Sequence, residues 1–364
     1  MKIVIAAGGT GGHLFPGLAV GEVLLARGHE VLVLISEKEI DALATSGRTE
    51  FRFEKLPGIG LPKIFSFAFL GFLRRFKSGL DQCQDLYRDF APDAVLGMGG
   101  FTSTAPILAG RRRKVPTFVH ESNAIPGKAN RLNGRMASAV LLGFEECSRY
   151  FPKAHCVVTG TPVRASLAQR LDKTQALKAF GLEPGRKTLF VMGGSQGAHG
   201  VNRALAGAVG TLENAALQII HLTGKQDEAM MREAYSKAGL PAYVAAFHHH
   251  MEEAYSAADL CIARSGAASL TELSHFGLPS ILIPYPHAAE DHQTFNAKIF
   301  DRAGAATLLR ESEITGALLA KELLGLVENP VRLNEMAARS RGLAPHEAAE
   351  RVAETVLKAC KERL

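Results

Sequence analysis

Cysteine is sparse and unpatterned. The 364 residues hold five, an odd number, at 83, 147, 156, 261 and 360, with no C-x-x-C pair. This excludes a zinc-finger framework and fits reduced thiols used as small apolar groups. No charged head and apolar segment precede the first strand-like run, Met1–Ala7, so no secretion signal is read and the chain is expected in the cytoplasm. No low-complexity linker is visible. A formal charge of +6 favours anionic partners, but no basic groove interleaved with aromatics accompanies it, so nucleic acid is not expected among them. The run His248-His249-His250 matches no zinc motif, and adjacent side chains diverge on either a helix or a strand, so no metal site and no cofactor are expected.

What the chain does have is enough apolar residue, 47%, for more than one core. A single core stops growing at roughly 250–300 residues, so two domains are the first expectation. Lys2–Ala7 reads as a buried parallel strand, Gly8–His13 as a glycine turn, and Pro16–Arg27 as a helix opened by proline. Further strand-like runs stand at 30–35, 94–97, 115–120 and 139–142. The same opening returns with a strand at 187–192, a glycine turn at 193–197 and a helix at 198–209, followed by strands near 218–222, 259–263 and 280–284. The chain therefore reads as α/β, two doubly wound Rossmann-like domains facing across a cleft where a ligand is expected. Residues 1–160 are expected to form the first domain and 161–340 the second, with 341–364 a terminal helix free to return to the first.

Glycine turns that lead into helices let backbone N–H groups approach an anion, and the helix end adds partial positive charge. His13, at the end of the first turn, is a candidate proton acceptor or a helix-capping residue. Gly97-Met98-Gly99-Gly100, with Thr102 and Ser103 after it, and His120-Glu121-Ser122-Asn123 end two parallel strands, where ligand groups gather. In the second half, Arg264-Ser265-Gly266 leads into a helix whose start can hold a diphosphate. Glu272, one turn in, suits ribose hydroxyls or is a solvated acid. The loop 287–293 adds polar groups suited to sugar hydroxyls.

Between Leu61 and Lys77 eight apolar side chains, among them Phe65, Phe69 and Phe72, sit beside Lys63, Arg74, Arg75 and Lys77 without an acid. The stretch is too short to span a bilayer. It reads as a face that inserts shallowly into an anionic membrane surface, or as a buried helix; the basic cluster 111–114 in the same domain favours the membrane.

Taken together, Gly8–Gly17, Gly97–Phe101, the run from His120 to Gly127, Gly160-Thr161-Pro162-Val163-Arg164, Gly193–Ala198 and Arg264–Ala267 resemble the MurG family of N-acetylglucosaminyltransferases over nearly the whole chain. The resemblance implies a GT-B fold and inverting, metal-independent transfer of N-acetylglucosamine from UDP-N-acetylglucosamine. The acceptor it implies is the 4-hydroxyl of a lipid-linked muramoyl-peptide, in peptidoglycan synthesis, at the cytoplasmic face of the cell membrane. It also implies cell-wall synthesis or division proteins as partners. By matching positions, it places Thr10, Gly11, Gly12, Asn123, Arg164, Ser195, His248, Ala267, Ala268, Ser269, Leu270, Thr271, Glu272 and Gln293 on the donor. The turns at Gly8–His13 and Gly97–Gly100, Gly99 and Gly100 above all, fall on the acceptor pyrophosphate, with His13 as candidate base. His248 falls where the family uses a backbone contact. Ser122 stands where the family usually has Gln, and His292 where some members do. Three rival readings are a GT-B enzyme acting on another lipid, a non-catalytic lectin-like or membrane-bound scaffold, and a nicotinamide-dependent oxidoreductase. Against the oxidoreductase, Leu14 occupies the place of the third fingerprint glycine.

Overall fold

The computed structural model describes residues 1–9, 11–37, 47–58, 68–194, 196–213, 215–343, 345 and 347–362. It divides into two compact units, Met1–Arg164 with Pro345–Leu364, and Ala165–Ala344.

The first unit is built on a seven-stranded parallel sheet in the order β3-β2-β1-β4-β5-β6-β7. Its strands are β1 (Lys2–Ala6), β2 (Glu30–Ser36), β3 (Arg52–Leu56), β4 (Ala94–Gly97), β5 (Thr117–Glu121), β6 (Ala139–Leu142) and β7 (Cys156–Val158). Because successive side chains leave a strand on opposite faces, Ile3 and Ile5 enter one core while Val4 and Ala6 enter another. The first core is roofed by α1 (Gly11–Ala26). The second is covered by α2 (Ala68–Phe90) and α3 (Thr104–Arg112). A sheet covered on both faces needs unbroken apolar strands, which is what β1, β2 and β4 supply. The short helix α4 (Lys128–Asn133) follows β5.

Proline does not open α1. The helix begins at Gly11 and takes Pro16 into its interior, so His13 stands on the first helical turn. The expected start at Pro16 gives way because Leu14 is buried in the core shared with Ile3 and Ile5, which fixes the turn ahead of the proline.

The second unit repeats the plan with six parallel strands in the order β10-β9-β8-β11-β12-β13. These are β8 (Lys187–Met192), β9 (Leu217–Leu222), β10 (Ala242–Ala245), β11 (Leu260–Ala263), β12 (Ser280–Leu282) and β13 (Ala306–Leu308). Its helices are α5 (Lys173–Ala179), α6 (His199–Leu212), α7 (Glu228–Lys237), α8 (Met251–Ala257), α9 (Ala267–Phe276), α10 (His292–Arg302), α11 (Gly316–Val327) and α12 (Pro330–Arg341).

The terminal helix, Ala348–Lys361, belongs to the first unit. Val352, Ala353, Val356, Leu357 and Cys360 lie in the same core as Ile3, Leu18 and Leu96. A valine buried completely contributes on the order of 1.5–3 kcal/mol. Val356→Ala should therefore lower unfolding stability by about 2 kcal/mol. Hydrogen exchange read peptide by peptide should show weaker protection of β1 and β4 while β8 and β11 keep theirs.

Candidate functional site

In each unit the strand order reverses once. In the first unit the chain leaves β1 to build β2 and β3 on one side, then returns to add β4 on the other. In the second unit β8 and β11 stand in the same relation. Loops leaving two such strands diverge, and the opening at their carboxyl ends is where ligands bind in sheets of this kind.

In the first unit the two loops at this opening are the Gly8–Gly9 turn and Gly97–Gly100. They are fastened together. Met98 N–H donates to Ala6 O at 2.8 Å, and the Thr102 hydroxyl to Gly8 O at 2.7 Å. Ser103 Oγ lies 2.8 Å from Gly99 O and 3.1 Å from Ala6 O. His13 reaches across from α1 and rests on the second loop. A Cβ built on Gly99 would stand 2.8 Å from His13 Nε2, and Gly99 has φ +122°. Conformation and clearance both require glycine there. Gly100 lies beside the same ring. Gly11 and Gly12 start the helix below it, Gly12 exposed; Thr10 lies outside the described residues.

The end of β5 and the loop after it depart from expectation. His120, Glu121 and Ser122 were expected among the ligand groups, but all three are buried and serve to hold the loop. His120 Nε2–H donates to Gly160 O at 2.9 Å, and the Ser122 hydroxyl to His120 Nδ1 at 3.3 Å. Burial depresses the His120 pKa to about 4, so the ring is neutral. The Glu121 carboxylate accepts from Asn123 N at 2.9 Å, Asn123 Nδ2 at 3.1 Å, Gly127 N at 3.1 Å and Asn130 Nδ2 at 2.9 Å. Burial raises its pKa and these N–H donors oppose the rise. The carboxylate thus acts as an internal hub that a strand-end carboxylate in sequence does not announce. Asn123 alone of the run His120–Asn123 is half-exposed. Asn130, which the sequence reading passed over, packs beside Gly99. Arg164 stacks its guanidinium on Phe15 of α1, 4.8 Å from the ring centre.

In the second unit the turn after β8 packs on the turn after β9. Gly197 has φ +76°, and a Cβ there would collide with Thr223 O. Ser195 lies outside the described residues, while the turn around it ends where α6 begins. Buried groups anchor that helix start. The Tyr235 hydroxyl donates to His221 Nδ1 (2.8 Å), and His221 Nε2–H donates to Asn202 Oδ1 (3.0 Å). Asn202 Nδ2 donates to Asp227 Oδ2 (2.8 Å), and Asp227 also pairs with His199 Nδ1 (2.9 Å). After the neighbouring strand β11, Gly266 precedes α9. Leu270 N–H already donates to Gly266 O, so the N–H groups of Ala267, Ala268 and Ser269 are those a helix leaves without an internal acceptor. Leu270 and Thr271 are buried, the Thr271 hydroxyl donating to Ala267 O.

Glu272 is half-buried and accepts from the Tyr255 hydroxyl at 2.5 Å; it is held in place rather than loosely solvated. Gln293 accepts from Tyr285 N–H through Oε1 (2.9 Å) and from Ser265 Oγ through its backbone oxygen (2.8 Å), which ties α10 to the β11 loop. His248 pairs with Glu253 at 3.0 Å and lies against Phe180; His249 meets Phe247, and His250 pairs with Glu252 while its ring meets that of His248 edge-on at 6.1 Å. Among the described residues no group of three His, Cys, Asp or Glu side chains is placed to hold a metal ion.

On the first unit, Leu70 and Leu73 of α2 are 70% and 44% exposed. Arg74 and Arg75 are exposed, and Phe69 and Phe72 half-buried; Phe65 lies outside the described residues. The basic cluster 111–114 does not extend this end of the helix. Arg113 donates to Gln84 O, about 16 Å of helix beyond Leu73 at 1.5 Å per residue. No helix among the described residues is long and apolar enough to cross a membrane.

The model for the glycosyltransferase family 28 N-terminal domain matches residues 3–142, and that for its C-terminal domain residues 188–355. A UDP-N-acetylglucosamine–N-acetylmuramyl-(pentapeptide) pyrophosphoryl-undecaprenol N-acetylglucosamine transferase of Geobacter sulfurreducens is 38% identical, with 98% of each chain covered. The crystal structure of Acinetobacter baumannii MurG is similar with a TM-score of 0.79 at 28% identity, covering 98% of this chain and 100% of that one. A Neisseria meningitidis UDP-GlcNAc 2-epimerase, at 16% identity, TM-score 0.70 and coverage of 98% and 100%, shares the fold.

The His221 network carries a pH signature. Burial depresses the ring's pKa to about 3. The unfolded ring gains a proton as pH falls through about 6.5 while the folded ring stays neutral, so stability present above that pH is lost towards pH 3 at about 1.4 kcal/mol per unit. Urea titrations at pH 7 and pH 5 should show a difference smaller by about 2 kcal/mol in His221→Gln than in the parent. His120 is less suited to this measurement, since neighbouring Glu121, with its raised pKa, contributes in the opposite direction.

Proposed function

Since the chain belongs to glycosyltransferase family 28 and, within it, to the MurG family, we propose that it transfers N-acetylglucosamine from UDP-N-acetylglucosamine to the 4-hydroxyl of a lipid-linked N-acetylmuramoyl-peptide. The product class is the disaccharide-bearing lipid of peptidoglycan synthesis. The observation that supports this reading most is His13: an imidazole resting on the Gly99–Gly100 turn, at the strand-order reversal of the first unit, joins a proton acceptor to an anion-type loop.

The step is a single displacement. The acceptor 4-hydroxyl oxygen attacks C1 of the donor sugar and inverts it, the hydroxyl proton passes to His13, and the C1–O bond to the diphosphate breaks. Charge accumulates on the departing UDP. The open N–H groups of Ala267–Ser269 and the turn at 193–197 stabilise it, and preorganised backbone dipoles of this kind lower such barriers by several kcal/mol. Glu272, oriented by Tyr255, accepts from ribose hydroxyls. Asn123, Arg164, His248 through its backbone, Gln293 and the Gly11–Gly12 helix start complete the donor contacts. Gly99 and Gly100 receive the acceptor pyrophosphate.

Radiolabelled N-acetylglucosamine should move into lipid only when the lipid-linked muramoyl acceptor is present, and competition with other glycolipids should leave that transfer intact. In the same assay His13→Ala should lower turnover by about 10²–10⁴ with UDP binding kept; near-normal turnover would remove His13 from the role.

The exposed end of α2 is assigned to the inner surface of the cell membrane, where the protein sits peripherally. Leu70, Leu73, Arg74 and Arg75 offer apolar side chains beside cations, and each Arg near an anionic surface contributes about 1 kcal/mol. Leu70→Ser with Leu73→Ser should weaken sedimentation with phosphatidylglycerol vesicles about tenfold, with binding to neutral vesicles weak throughout.

A further inference from the structure

Helix α2 carries two apolar stripes. Leu70 and Leu73 face solvent, whereas Phe69, Phe72 and Phe76 form a half-buried row at spacings of three and four residues. The rings of the row are stacked, with centres 5.8 Å apart for Phe69–Phe72 and 6.2 Å for Phe72–Phe76. Phe72 also meets Phe101 edge-on at 6.2 Å. Phe101 directly follows Gly100, so the aromatic row touches the end of the polar turn under His13 through Phe72. The polar anion-type turn is followed by one aromatic residue, which meets the middle ring of a ladder about 10 Å long along the helix at 1.5 Å per residue. A polyprenyl pyrophosphate has the same order of parts, a charged head joined directly to an apolar chain.

We propose that Phe101 and the row Phe72, Phe69 and Phe76 form a track for the first isoprene units of the acceptor's lipid, a specificity element separate from the bilayer-facing stripe. The proposal rests on the acceptor named above. It commits the row to the chain rather than to bulk membrane because Phe72, its middle ring, meets Phe101 beside the turn and all three rings are half-buried, while Leu70 and Leu73 remain open to solvent.

The test measures transfer in micelles of one nonionic detergent with two acceptors, one bearing a long polyprenyl chain and one cut to a single isoprene unit. Phe72→Ser and Phe69→Ser should each lower kcat/KM for the long-chain acceptor about tenfold more than for the short one, with the KM for UDP-N-acetylglucosamine unaltered as the sign of an intact fold. Leu70→Ser should leave the long-to-short ratio as it was. Equal losses on both acceptors would overturn the track and make the row a prop for the Gly97–Phe101 turn. An unaltered ratio with weakened vesicle binding would overturn it in favour of the membrane. Absence of transfer by the parent protein to either acceptor would sink the functional assignment itself and the track with it, a result distinct from failure confined to the ratio.

Discussion

The parallel pairing of β1 with β4, repeated as β8 with β11, is the constraint on which the candidate site depends. Because each pair joins strands whose connections run to opposite sides, the two loops above them part and leave backbone N–H groups without sheet partners. Glycine turns and helix starts fill that opening in both units. The chemistry assigned to them needs no special side chain at the anion sites, only backbone held rigidly in the right direction.

Rigidity is supplied from below by buried polar groups. Glu121 gathers three N–H donors from the loop after β5 and one from α4, and so fixes Asn123 and Asn130 together. In the second unit the line from Tyr235 through His221, Asn202 and Asp227 does the same for the start of α6. Both networks bury titratable groups, a cost offset only while every donor meets its acceptor. They lie next to the loops they support and away from solvent, as preorganisation demands.

The surface of α2 shows how one helix can serve two apolar partners. A stripe that stays exposed beside Arg74 and Arg75 suits a lipid surface, and a half-buried stripe that meets Phe101 through Phe72 suits a ligand that must approach the turn. Charge near this end is local. The cluster 111–114 lies at the far end of α3, so the pairing of cations with exposed leucines, rather than the total basicity of the unit, marks the face.

Sequence alone determined the repeated strand, glycine turn and helix, because strands buried on both faces must be continuously apolar and the turns that follow them must be glycine-rich. It also marked the residues whose types suit phosphate and sugar. It did not reveal β3, β7, β10 and β13, the four strands at the sheet edges. Each is short and only partly buried, so none carries an unbroken apolar run. Nor could it distinguish His13, a ring set on Gly99, from His120, a neutral ring sealed under Gly160; both are histidines near glycine turns, and their difference lies in what the rest of the chain places over them. Tertiary structure alone decided these matters, and with them the return of Ala348–Lys361 to the first core. Burial and hydrogen-bond partners are set by elements far apart in the chain, whereas propensity and periodicity act only on neighbours.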